Sequence, residues 1–150
     1  MDAIRNWLHT YSELSDAEWT QFKGHLYSEH LKKRMCFVMA DDVMESVAFV
    51  TKGYLQAEYD DGSGELRTLY FNTPTWNPVV ADLHSLINGN KARFTISALT
   101  DCELITLKAT TLQRLYDEHK SFERLGRRLA EHQYLQAMDR ILNSEAEAPE

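Results

Sequence analysis

Val47–Phe71, VAFVTKGYLQAEYDDGSGELRTLYF, carries two alternating apolar runs around an Asp-Gly-Ser-Gly turn, with a lone Gly53 breaking the first run. Alternation of period two turns one row of side chains inward and the other to water, the pattern of a half-buried strand. Asp60-Asp61-Gly62-Ser63-Gly64 supplies the residues that a tight hairpin accepts at positive φ. The same texture extends on both sides, predicting strands over Lys33–Met39, Val47–Val50, Tyr54–Tyr59, Glu65–Phe71, Ala92–Leu99 and Cys102–Leu107. Gly and Pro punctuate them at Gly53, Gly62, Gly64, Pro74, Pro78 and Gly89. Many short strands with regular turns point to a mainly β domain, a sandwich, barrel or jelly roll.

Helical spacing brackets this middle. Ile4, Trp7, Leu8 and Tyr11 share one face of a short helix over Ala3–Tyr11. Ser15-Asp16-Ala17-Glu18 is a capping box that opens a second helix, to about Leu26. Thr110-Thr111-Leu112-Gln113 is read as another box, opening a helix to His119, and Ser121 as the cap of a long one reaching Asn143. That last helix would span about 35 Å. Leu125, Leu129, Leu135, Met138, Ile141 and Leu142 give it more apolar surface than one small barrel covers. Gly126, Ala130 and Ala137 form a row of small residues beside them, and mid-helix Gly costs about 1 kcal/mol relative to Ala. The expectation is a homodimer helix, 121–143, with Leu125, Gly126, Leu129, His132 and Gln136 at the contact; the alternative is a helix packed on its own barrel. Ser144 to Glu150 reads as a frayed acidic tail, which makes 1–143 the folded domain.

At 150 residues the chain fits one domain with a real core. No apolar run approaches a membrane span, and the N-terminus lacks a basic stretch followed by an apolar one, so a cytoplasmic protein is expected. The net charge of −7 argues against non-specific binding to nucleic acid or anionic lipid. Cys36 and Cys102 are too few for a disulfide framework or a thiolate cluster and are read as two reduced, partly buried thiols. No Ser/His/Asp order, Gly-rich nucleotide loop or metalloenzyme motif occurs, so no enzyme activity is expected.

The order of elements resembles the cyclic-nucleotide-binding domain of the cyclic-AMP receptor and fumarate-nitrate regulator (Crp/Fnr) superfamily, over about Trp7 to Leu142. Phe49-Val50-Thr51-Lys52-Gly53 is similar to its aromatic-Ile-x-x-Gly strand end, and Asp60–Gly64 falls at its next hairpin. Phe94–Leu99 followed by Cys102–Leu107 resembles its closing strand pair. The resemblance implies a mainly β fold, a double-stranded β-helix (jelly-roll) barrel with two short N-terminal helices and a long C-terminal one. It would serve as the sensor half of a bacterial transcription regulator, a homodimer with a small-molecule effector that the sequence does not name. It implies DNA contact only through a helix-turn-helix domain, and no such segment follows the long helix here.

The family binds phosphate in a cassette: Gly-Glu-Leu, about ten residues, then Pro-Arg-Ala-Ala. The segment that matches is Ala81-Asp82-Leu83, then Lys91-Ala92-Arg93-Phe94, with Thr95 following. Asp82 offers a carboxylate one methylene shorter for the ribose hydroxyl, but Ala92 holds the arginine position. Ala92, Phe94, Ile96 and Ala98 form the apolar, inward row; Arg93, Thr95 and Ser97 form the outward one. A bulge near Gly89-Asn90-Lys91 would be needed to re-aim Arg93 inward. A buried phosphate without a cation costs several kcal/mol, so cyclic AMP and cyclic GMP are expected to bind weakly or not at all. The competing reading is a ligand-free structural or protein-interaction module of the same fold. No metal or cofactor is expected: His84, placed in the loop after Asp82, lacks converging ligands, and no N-terminal cysteine cluster could hold iron and sulfur. Trp76, between Pro74 and Pro78, is a candidate pocket lid or a loop anchor, and His132, Gln133 and Gln136 are further candidates to face a ligand.

Overall fold

A computed structural model describes residues 1–147, the side chains through 144. The chain forms two units, one of helices (Met1–Lys23 and the chain from Gln113 onward) and one of strands (Gly24–Leu112).

The strand unit holds β1 (Tyr27–Leu31), β2 (Cys36–Val38), β3 (Ser46–Lys52), β4 (Leu55–Asp60), β5 (Leu66–Asn72), β6 (Val79–Val80), β7 (Thr95–Ala98) and β8 (Cys102–Lys108). They make two four-stranded sheets, ordered β1-β8-β3-β6 and β2-β7-β4-β5. Every pairing is antiparallel, and the chain passes repeatedly from one sheet to the other, which is jelly-roll topology. The expected hairpin joins β4 to β5, and Asp61 closes its turn by accepting from Ser63 N–H, 2.9 Å, and Arg67 Nε, 2.6 Å. Gly53 adopts φ +90°, and a Cβ there would lie 2.8 Å from both Cys102 Sγ and Thr100 Oγ1, so only glycine fits the turn into β4.

The elements depart from the sequence reading where burial departs from alternation. Val47, Ala48, Phe49 and Val50 are all buried, so β3 is covered on both faces, whereas β4 alternates as expected, with Leu55 and Ala57 inward. β5 is exposed along most of its length because it forms a sheet margin, and only Tyr70 and Asn72 turn in. The strand expected over Lys33–Met39 shortens to β2, since the chain turns at Arg34, φ 75°. Two strands and a helix escaped the pattern: β1, β6 and α3 (Leu83–Asn88).

The helical unit contains α1 (Asp2–His9), α2 (Asp16–Lys23), the end of α4 (Ala109–Glu118) and α5 (Lys120–Glu147). The capping box at α2 forms as expected: Glu18 N–H donates to Ser15 Oγ, 3.1 Å, and Ser15 N–H to Glu18 Oε1, 3.0 Å. The helix stops at Lys23, before Gly24, short of the expected Leu26. The two later caps are corrected. α4 begins at Ala109, which puts Thr110 inside its first turn, and Ser121 lies within α5, where its hydroxyl donates to the Glu18 carboxylate. Phe22 stacks on Phe122 with ring centroids 5.8 Å apart, and Arg128 donates to the Tyr11 carbonyl, 2.7 Å, tying α2 and the end of α1 to α5. α5 continues through Glu147, so 144–147 is helical rather than tail; 148–150 lies outside the described residues. No helix among the described residues is long and apolar enough to cross a membrane.

Candidate functional site

The cassette residues come together around one carboxylate. Asp82 is 2% exposed and caps α3: His84 N–H donates to its Oδ1, 3.1 Å. Arg93 N–H donates to its Oδ2, also 3.1 Å, joining the two halves of the cassette across eleven residues. The Asp82 amide itself donates to Met44 Sδ, 3.2 Å. Each carboxylate oxygen has capacity for a second bond, and the one that each accepts comes from an amide on a different half of the cassette. Asp82 therefore stands as an internal clasp.

The inward row holds as read from the sequence: Ala92, Phe94, Ile96 and Ala98 are buried and Arg93 is exposed. No bulge re-aims the arginine. Gly89 ends α3 in the left-handed region, Lys91 bridges Val43, and Ala92 exchanges backbone bonds with 41–42. Where the family presents a guanidinium, this chain presents the Ala92 methyl.

The remaining cassette groups are occupied by the protein itself. Tyr70 Oη donates to the Ala81 carbonyl, 3.2 Å, and its ring meets that of Phe94 edge to face, centroids 5.9 Å apart. Thr95 Oγ1 accepts from Ala40 N–H, 2.9 Å, and Leu83 is exposed at the start of α3. Alternation does not single out Tyr70, because a bulge opposite Ala57/Glu58 shifts the inward parity of β5. His84 is corrected from loop to the first turn of α3; its Nδ1 is buried without a hydrogen-bond partner among the described residues. No group of three His, Cys, Asp or Glu converges there or elsewhere among the described residues.

Three other candidates fall elsewhere. Trp76 is 62% exposed, so its indole does not anchor the loop; its backbone closes the loop through Thr73, at 2.9 Å in both directions. Cys36 is exposed, contrary to expectation, while Cys102 is buried, and burial pushes its thiol pKa up. On α5, three of the five residues assigned to a dimer contact are engaged inside the helical unit. Leu125 is buried, and His132 meets the Tyr11 ring edge-on at 5.2 Å. A Cβ on Gly126 would lie 2.5–2.7 Å from the phenol of Tyr116, so its missing side chain serves Tyr116. Leu129 and Gln136 remain half-buried, whereas Tyr134, Leu135, Ile141 and Leu142 are exposed.

No family profile and no curated protein gives a significant match to the sequence. Solved structures do. A cyclic nucleotide-binding domain from Methylobacillus flagellatus superposes at TM-score 0.81 with 13% identity, over 95% of this chain and 83% of that one. The catabolite activator protein of Thermus thermophilus gives 0.73 with 15% identity, over 91% of this chain but only 61% of its own length. The N-terminal domain of a transcriptional regulator from Streptomyces coelicolor A3(2) gives 0.66 with 19% identity, over 86% and 87%. At such identities the likeness establishes the fold, and the chain has the cyclic-nucleotide-binding-domain fold.

Proposed function

We propose that this chain is a regulatory, non-enzymatic module of the cyclic-nucleotide-binding fold, a relative of Crp/Fnr sensor halves whose cassette has become structural. The observation that carries this reading is the Asp82 clasp: the carboxylate that would meet the ribose is buried and bonded to His84 and Arg93 amides. A phosphoryl anion placed beside it would face the Ala92 methyl and the ring of Phe94, with Arg93 on the exposed row. Charge without a partner in such surroundings is costly. Cyclic AMP and cyclic GMP are expected to give no saturable heat in calorimetric titration; micromolar affinity for either would overturn the reading, and Arg93→Ala would then test whether the guanidinium had swung inward. The effector, if the module senses one, is neither of these nucleotides in its usual pose.

The second reading, a ligand-free interaction module, is favoured by Tyr70, whose ring packs on Phe94 and whose hydroxyl donates to the Ala81 carbonyl, so that cassette groups are met by the protein itself. Native mass spectrometry of freshly purified protein separates the two: a co-purified small molecule supports a sensor, a bare oligomer the interaction module. In either case a homodimer through the second half of α5 is expected. Leu135, Met138 and Leu142 follow the three-four spacing of a coiled-coil seam, and the first and last are exposed. A cytoplasmic location follows from the same regulatory reading.

A further inference from the structure

A groove of about 660 Å³ lies at the margin of the strand unit and meets the cassette along 42–44. The strand orders put β1 at the edge of one sheet and β2 at the edge of the other, and both edges line it. Its floor reaches the core at Val38 and Met44, which are buried. Its rim carries Met35, Met39 and Val43, exposed by 57%, 55% and 49%. Half-exposed apolar side chains gathered on a buried apolar floor mark a contact surface, and methionine is the side chain that re-packs most readily against a partner.

Charge selects the partner. Glu29, Asp42 and Glu45 line the groove against a single cation, Arg34, and none of the three carboxylates forms an ion pair among the described residues. With a net charge of −7 on the whole chain, the groove draws in a cationic segment and repels an acidic segment or a nucleic acid. The open side selects the shape. Two sheet edges bound a groove open along one side, a seat for one face of an extended rod such as an amphipathic helix, about 10–12 Å across with side chains. A small molecule would sit in a groove open along one side, without the enclosure that small-ligand sites provide.

We infer that this groove receives a cationic amphipathic helix of a partner protein, its apolar face on Val38, Met44 and the rim and its lysines or arginines against Glu29, Asp42 and Glu45. The site abuts the cassette at 42–44 but takes in neither Asp82 nor Arg93, and it stands whether or not a nucleotide binds there. The test is methyl NMR on the full chain with 13C-methyl methionine, whose five signals contain their own control: Met35, Met39 and Met44 line the groove, Met1 and Met138 do not. The probe is a synthetic helical peptide of leucine and lysine, with a leucine–glutamate peptide of the same pattern beside it. The lysine peptide should move the three groove methyls saturably and leave Met1 and Met138 in place. Val43→Lys, at an exposed position and with melting unchanged, should weaken binding by about tenfold or more. The double exchange Asp42→Asn with Glu45→Gln should weaken it severalfold, as should added salt. The inference is overturned if all five methyls move together, if the glutamate peptide binds as well, if Val43→Lys binds unchanged, or if nothing saturates at millimolar peptide. It is equally overturned if benzylammonium alone moves the same methyls with the peptide's affinity. Because Met44 also contacts the Asp82 amide, a cassette ligand would move Met44 without Met35 and Met39, so failure of this inference and failure of the cassette reading look different.

Discussion

Replacing Asp82 by alanine tests the cassette reading through stability alone. The substitution removes the cap of α3, a loss of about 1 kcal/mol. It also removes the acceptor for Arg93 N–H, and a hydrogen bond to a charged group contributes about 1.5–3 kcal/mol. The Asp82 amide bond to Met44 is untouched, so the total is about 3 kcal/mol. Unfolding entropy of about 2.1 cal/mol/K per residue gives about 0.3 kcal/mol/K for a chain of this length, so the loss corresponds to about 10 °C in Tm. Asp82→Asn separates the two contributions: asparagine caps helices as well as aspartate does but turns an NH2 toward the Arg93 amide. It should cost about 2 kcal/mol, leaving a gap of about 1 kcal/mol between the variants. Thermal and urea unfolding followed by circular dichroism read both. If Asp82→Ala melts within about 2 °C of the parent, well inside the shift expected for a lost clasp, the carboxylate is not structural and the argument from its occupancy fails.

Gly126→Ala sets about 1 kcal/mol of improved helix propensity against overpacking of the Tyr116 phenol, which typically costs 1–3 kcal/mol. A net loss of about 1 kcal/mol and an unchanged oligomeric state are expected, and a raised Tm would show that the phenol lies elsewhere. Glu18 should make stability fall in acid. Its hydrogen bonds from Ser121 and the Ser15 amide hold its pKa below the usual glutamate value of about 4.3. With the folded pKa depressed, that stabilisation is whole above the unfolded value and is lost as pH falls from about 5 through the folded one. Glu18→Gln keeps the capping geometry, so its Tm deficit should shrink on acidification, and a deficit constant with pH would remove the charge from the account. Leu135→Lys combined with Leu142→Lys should convert a dimer to a monomer in sedimentation without changing Tm of the strand unit, while an unaltered dimer would move the interface off the second half of α5.

Periodicity and turn chemistry spoke plainly where a side chain's partner is close in sequence. The β4–β5 hairpin, the Ser15–Glu18 box and the inward row of Ala92, Phe94, Ile96 and Ala98 were all legible, because each rests on local rules. β1 was not, since a sheet margin exposed along Tyr27–His30 has no apolar row to announce it. Nor was the true α5 face: Gly126 reads as a helix-crossing residue until Tyr116, ten positions back, is seen to fill the space. The groove was hidden for a related reason. Met35, Met39 and Val43 fall at four-residue intervals in a stretch that is not helical, and only the turn at Arg34 and the return through 41–42 bring them to one rim.

The parity of residues 92 and 93 is held from both sides, which supports the proposed loss of phosphate binding. Asp41 N–H donates to the Ala92 carbonyl at 2.8 Å and Ala92 N–H to the Asp42 carbonyl at 2.7 Å, while Arg93 N–H is held by Asp82 at 3.1 Å. Bringing the guanidinium inward requires a one-residue slip that breaks all three, at about 1 kcal/mol for each backbone bond and more for the one to the carboxylate, and that also drives Phe94 out of the core. A phosphate would have to return about 4 kcal/mol before binding began, beyond the loss of Phe94 burial. The first two of these bonds also hold 41–42 in place, and Asp42 lines the groove, so the pinning of Ala92 also shapes the surface offered to a partner.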